Sequence, residues 1–177
     1  MDIPVGRLID PEYLISRSKL IKMDRSIGKA TSGELNRNLT KKLAPDESLK
    51  GKSTSHLTVV DKSGNVVSMT TTIESPFGSH LMVRGFLLNN QLTDFSFNPI
   101  KDGKFVANSV WPGKRPRSSM APTLIFDNSG KPVFALGSPG GSRIIGYVSK
   151  CIIAILVWKM NIQSAFELPH FINLNSF

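Results

Sequence analysis

Thr54 stands where a polar segment turns into a strand-like run: Gly51-Lys52-Ser53-Thr54-Ser55-His56-Leu57-Thr58-Val59-Val60-Asp61. Cleavage of the Ser53–Thr54 bond would place a nucleophile and its base on one residue. The hydroxyl attacks and the freed α-amine takes its proton. An α-amine has a reference pKa of roughly 8, so a useful neutral fraction exists near neutral pH. The bland alternative is a β-branched residue that merely opens a strand. The three His and one Cys of the chain show no zinc-ligand spacing, so neither a metal nor a cofactor is expected.

The elements around Thr54 are those of an α+β fold. Asp10-Pro11-Glu12 combines a capping Asp, a first-turn Pro and an acidic residue, and predicts a helix from Pro11 to about Met23. From Gly28 to Ser53 the chain is rich in Lys, Ser, Asn and Gly, which predicts an exposed, mobile linker. Leu57–Val60 and Val66–Ile73 form a predicted hairpin, turning at Asp61-Lys62-Ser63-Gly64-Asn65. A third strand is predicted at Arg84–Leu88, and Phe95–Lys114 reads as a loop-rich insertion. Thr123–Phe126 and Val133–Leu136 form a second hairpin around Asp127-Asn128-Ser129-Gly130-Lys131. A long apolar helix is expected over about Arg143–Met160, and a shorter one over Ile162–Glu167, ended by Pro169. Hairpins followed by helices predict an antiparallel sheet covered by helices.

Composition narrows the function classes. A chain of 177 residues is one domain's worth, and 40% hydrophobic with 20% charged residues suits a globular core. The formal charge of +9 would permit anionic partners, but it is spread out. Residues 1–53 carry 11 basic and 7 acidic residues, against 11 and 6 in the remainder. The densest basic cluster is Lys114-Arg115-Pro116-Arg117, so a solvated surface is favoured over nucleic-acid binding. Cys151 reads as a small buried residue inside an apolar run too short for a membrane span of about 20 residues. The first residues lack the hydrophobic core of a signal peptide.

Four segments, in order, carry a resemblance. They are Thr54-Ser55-His56 with Val59-Val60-Asp61-Lys62-Ser63-Gly64-Asn65; Phe77-Gly78 with Leu87-Leu88-Asn89-Asn90-Gln91-Leu92-Thr93-Asp94-Phe95; Lys114-Arg115-Pro116-Arg117-Ser118-Ser119-Met120-Ala121-Pro122-Thr123; and Gly137-Ser138-Pro139-Gly140-Gly141-Ser142-Arg143-Ile144-Ile145. Together they resemble the gamma-glutamyltranspeptidase family of N-terminal-nucleophile hydrolases. The resemblance implies a partial αββα sandwich, with residues 1–53 as large-subunit tail and linker and 54–177 as a truncated small-subunit core.

The same resemblance implies the site. Thr54 would be the nucleophile on the γ-carbonyl of a γ-glutamyl donor such as glutathione, with water, an amino acid or a peptide as acceptor. Thr72 would hydrogen-bond the nucleophile, and Gly140 and Gly141 would offer backbone N–H groups to an oxyanion. Glu74, Asp94 and Gln91 would meet the donor ammonium, and Ser118 and Ser119 its α-carboxylate. Asn90 and Thr123 read as structural. The family's main carboxylate-binding Arg is expected from a large-subunit partner chain, and the family is typically periplasmic or extracellular. A non-catalytic remnant of the family is the alternative.

Overall fold

The computed structural model describes residues 4–35, 43–46 and 53–174. The chain begins with α1 (Val5–Leu8) and α2 (Pro11–Ser18). The Asp10 side chain accepts from the Tyr13 backbone N–H at 2.8 Å, as the Asp-Pro-Glu pattern predicts. The helix stops five residues short of Met23. Leu20 and Ile21 donate instead to Arg17 and Ser18, closing tighter i→i+3 turns. No residue of α2 is buried, so little tertiary packing supports a longer helix.

Part of the expected linker is ordered. Leu43–Ala44 forms β1; the other expected linker residues at 36–42 and 47–52 lie outside the described residues. Next come β2 (Ser53–Val60) and β3 (Val66–Glu74), then the small hairpin β4 (Met82–Val83) and β5 (Phe86–Leu87). The predicted strand at Arg84–Leu88 is therefore shorter, because Arg84 and Gly85 form the turn at positive φ of 48° and 89°. The segment read as loop-rich contains β6 (Ile100–Lys101) and β7 (Lys104–Val106). Strands β8 (Thr123–Phe126) and β9 (Pro132–Leu136) precede α3 (Ile144–Leu156) and α4 (Ile162–Glu167).

The chain divides into two compact units. One contains the N-terminal helices, β1 and Asn98–Lys114. In it β1 lies parallel to β7, pairing Leu43 with Phe105 and Ala44 with Val106, and both Ala44 and Val106 are buried. Asn108 Nδ2 donates to Asp46 Oδ2 at 2.9 Å. Ala44 thus departs from the exposed linker expected there, because an apolar residue finds an open edge of the β6–β7 hairpin.

The other unit carries both long hairpins and α3 and α4. The hairpins turn by the same chemistry. Asp61 Oδ1 accepts from Ser63 and Asn65 N–H at 2.8 Å, and Asp127 Oδ1 from Ser129 and Lys131 N–H at 2.8 and 3.0 Å. Gly64 and Gly130 supply the positive φ that each turn needs. The core is Leu136, Ile144, Val148 and Cys151, with Met120, Ala121, Ile125 and Ile152 packed against it.

The β2–β3 hairpin presents its polar face inward. Ser68 Oγ donates to Leu136 O at 3.1 Å, and the His56 ring lies against Gly137. The opposite face pairs Leu57 with Met69 and Val59 with Val67, and all four are 41–53% exposed. A hairpin with its apolar cross-strand pairs in water has the pattern of a face meant to be covered.

His56 and Gly137 yield a stability prediction. A methyl group on Gly137 would stand 2.1 Å from His56 Cε1. The ring is held by Thr70 Oγ1 at 2.9 Å and Thr58 Oγ1 at 3.3 Å, so it cannot swing aside freely. Gly137→Ala is expected to destabilise this unit by about 1–3 kcal/mol through overpacking. Chemical denaturation would measure it, and adding His56→Ala should recover much of the loss if the ring is the obstacle.

Candidate active site

A register irregularity shapes the strand that begins the site. Ser53 pairs with Glu74 and Ser55 with Thr71, so Thr72 and Ile73 together stand opposite Thr54. This is a β-bulge on β3, a device that re-aims side chains and breaks the regular ladder. The in–out alternation of β3 holds from Val66 to Thr71 and fails at Thr72–Ile73, where both residues are half-buried.

Thr54 and Thr72 line a cavity that also takes in Glu74, Gln91, Asp94, Ser118, Ser119 and Gly141. Every residue expected at the site is on this wall except Gly140, which adjoins Gly141. The cavity adds four residues that sequence reasoning did not place there: Arg117, Met120, Ser142 and Ile144. Arg117 was legible as the neighbour of Ser118 in the Lys-Arg-Pro-Arg-Ser-Ser run. Met120 and Ile144 also contact or form the apolar core, which floors the cavity.

The acidic wall is built by the end of β3. Glu74 is buried and sits at φ 73°, in the left-handed region where a non-glycine residue is strained. A network holds it there. Glu74 Oε2 accepts from Ser75 Oγ at 2.5 Å, Asn90 Nδ2 at 3.0 Å and Thr93 Oγ1 at 3.3 Å. Its backbone N–H donates to Thr72 Oγ1 at 2.9 Å, and Asn90 Oδ1 receives the Ser75 N–H at 3.0 Å. Asn90 therefore ties β3 to the 3₁₀ turn Gln91–Asp94. Thr123 Oγ1 donates to Ala121 O at 3.1 Å, again a local structural bond.

Gln91 Nε2 donates to Asp94 Oδ2. The Asp94 carboxyl is raised above its ordinary value of 3.8, first by burial and then by the charge of Glu74. The Gln91 hydrogen bond and the Arg117 guanidinium oppose that rise. Two carboxyl groups thus share one cavity, and the charge of Glu74 makes ionisation of Asp94 harder.

Gly141 also lines the cavity; Gly140 and Gly141 hold φ of 132° and 56° and lead through the turn Gly141–Arg143 into α3. A methyl group on Gly140 would meet the Tyr147 ring at 2.9 Å. Tyr147 is in turn stacked on His170 at 3.9 Å between ring centres. The glycines permit a backbone path that a side chain would block, at the start of a helix whose N-terminal dipole favours negative charge. Among the described residues no cluster of His, Cys, Asp and Glu is arranged to hold a metal ion, and no helix is long and apolar enough to cross a membrane.

The chain has the α+β fold of the N-terminal-nucleophile hydrolases. Over 63% of its length it superposes on Helicobacter pylori gamma-glutamyltranspeptidase at a TM-score of 0.53 and 43% identity, covering 63% of that chain. Against the Pseudomonas nitroreducens enzyme the TM-score is 0.55 at 36% identity, covering 63% of this chain and 60% of that one. The Gamma-glutamyltranspeptidase family model matches residues 1–176, and the chain belongs to that family. It is 41% identical, over 96% of its length, to the glutathione hydrolase proenzyme of Bacillus subtilis (strain 168), and spans 29% of that relative. It is 36% identical, over 94% of its length, to the Acylase ACY 1 proenzyme of Pseudomonas sp. (strain SE83), and spans 27% of it.

Proposed function

We propose that this chain carries the self-processing junction and nucleophile site of a γ-glutamyltransferase/glutathione hydrolase. The observation that carries the reading is the convergence of Thr54, Thr72, Glu74, Asp94, Ser118, Ser119 and Gly141 on one cavity. In maturation, Thr54 Oγ adds to the Ser53 carbonyl carbon. The hydroxyl proton passes to the Thr54 nitrogen, the C–N bond breaks and an ester remains. Water then hydrolyses the ester, leaving the Ser53 carboxylate, the restored hydroxyl and a free α-amine.

In turnover that amine accepts the hydroxyl proton as Oγ attacks the donor γ-carbonyl, with Thr72 orienting the nucleophile. Backbone N–H groups at Gly140 and Gly141 stabilise the tetrahedral oxyanion. Its collapse expels the donor amine, which takes the proton, and leaves a γ-glutamyl ester on Thr54. Water or an acceptor amine resolves the ester. Glu74, Gln91 and Asp94 hold the donor ammonium, and Ser118 and Ser119 its carboxylate.

The exposed apolar pairs Leu57–Met69 and Val59–Val67 support a second layer contributed by a large-subunit region, because the relatives are several times longer than this chain. The same exposed face favours the second reading, a non-catalytic remnant, for a protein made of residues 1–177 alone. Such a protein is expected to release no chromogenic amine from a γ-glutamyl anilide. Assembly with the family's remaining regions is expected to restore release. Turnover by residues 1–177 alone that disappears in Thr54→Ala would show a self-sufficient fragment. An assembled, processed protein without turnover would favour the remnant.

A further inference from the structure

Two adjacent glycines, Gly140 and Gly141, form the least restricted backbone of the site, with no side chains of their own to hold them. An oxyanion gains most from N–H donors that are already fixed when its charge develops. We propose that the Tyr147 ring, backed by His170, fixes the Gly140–Gly141 backbone and so positions its N–H groups for the oxyanion. The inference rests on the γ-glutamyl reading above and deepens it. Tyr147 and His170 are not among the residues lining the cavity, so they are positioning residues that act through the glycines.

Gly140 sits at φ 132° and ψ 13° with no side-chain cap. Its carbonyl accepts the Arg143 N–H at 3.1 Å. The Tyr147 ring lies against its Cα, 2.9 Å from where a Cβ would stand, and Ile144 Cγ1 lies 3.8 Å from the same point. A rigid ring packed there limits the φ/ψ swings that a glycine otherwise makes freely. The ring is held in turn by a strap, residues 168–172, fastened along α3. Lys150 Nζ donates to Leu168 O at 2.8 Å, and Lys150 is buried, so water competes little for that bond. Tyr147 stacks on His170, with ring centres 3.9 Å and planes 27° apart. A methyl group on Gly146 would stand 2.3 Å from Ile172 Cδ1, so Ile172 lies directly on the helix there. The contacts thus run in order from Lys150 back to Gly146, toward the end of α3 that the glycines precede. In the competing role the stack only packs the tail of α4 onto α3 and leaves the glycines alone.

Two inhibitors separate the roles. One is glutamate; the other is its analogue with a boronic acid in place of the γ-carboxylic acid. Boron takes a lone pair from Thr54 Oγ, whose proton passes to the α-amine, and becomes a tetrahedral anion that mimics the oxyanion. Such an analogue reports interactions that a ground-state ligand does not make. Both are tested against turnover of γ-glutamyl-4-nitroanilide by the assembled, processed protein and its variants, with intact mass reporting maturation. Tyr147→Leu is expected to lower kcat about 10- to 100-fold, the scale for slight misplacement of a catalytic group, with KM little changed. The boronate inhibition constant should rise by a similar factor, while that of glutamate stays. A merely looser fold would lower the active fraction and move neither constant. Tyr147→Phe keeps the ring and should restore the rate. His170→Ala should show a smaller effect of the same kind, and His170→Phe should recover it. Unchanged boronate inhibition in the variants that mature, equal weakening of both inhibitors, or failure of both Tyr147→Leu and His170→Ala to mature would assign the stack to packing alone. Wild-type protein that matures yet turns over no γ-glutamyl donor would sink the γ-glutamyl reading itself, and this role with it.

Discussion

Thr54→Ala protein, assembled with the family's remaining regions, is expected to stay a single uncleaved chain and to release no amine from a γ-glutamyl donor. The substitution removes the hydroxyl on which both maturation and turnover depend. Removing a nucleophile of this kind costs about six orders of magnitude in turnover, which places residual activity below ordinary detection. Thr54→Ser keeps the hydroxyl and loses only a methyl group, so it should still mature and turn over. A cleaved, active Thr54→Ala protein would show that Thr54 merely opens β2.

Asp94→Ala should be the next largest effect. Its carboxylate is proposed to pair with the donor ammonium in a cavity it shares with Glu74. Removing one member of a buried charge pair costs roughly 2–5 kcal/mol. Asp94 is half-buried, so the low end applies, about 30-fold in donor KM. The pH dependence has a definite sign. Burial and Glu74 raise the Asp94 pKa above 3.8, and only the ionised form attracts an ammonium. Donor KM should therefore rise as pH falls through that raised value. Fold stability moves the other way for this group. The folded state binds the proton more tightly than the unfolded one, so the Asp94 contribution grows as pH falls through the same window. Weakened donor binding at low pH, without loss of fold, is the expected combination. A KM that Asp94→Ala leaves unchanged, with normal maturation, would remove Asp94 from the site.

The local chemistry of the sequence was most legible where one residue type dictates backbone geometry. The two Asp-x-Ser-Gly turns, the Asp10 cap and the Ile162–Glu167 helix follow from such residues and are found as expected. What pattern alone could not supply was long-range pairing. Leu43–Ala44 reads as linker because nothing local announces its partner β7, more than 60 residues away. The long apolar helix was expected to begin at Arg143, and it begins at Ile144 after a 3₁₀ turn. It ends at Leu156, four residues short of Met160. The bulge opposite Thr54 was equally hidden, since Thr72 and Ile73 look like ordinary strand residues. For the site, the resemblance named residues scattered between positions 54 and 141, and the fold gathers them, apart from Gly140, around one cavity. Arg117 escaped notice because its basic neighbours made it read as surface charge.

Self-processing as proposed makes the nucleophile by breaking one peptide bond. Intact-mass analysis and N-terminal sequencing of the assembled protein after maturation test it most directly. Two fragments are expected, one ending at Ser53 and the other beginning at Thr54 with a free α-amine. A mature fragment beginning at any other residue, or an active protein with the Ser53–Thr54 bond intact, would contradict it.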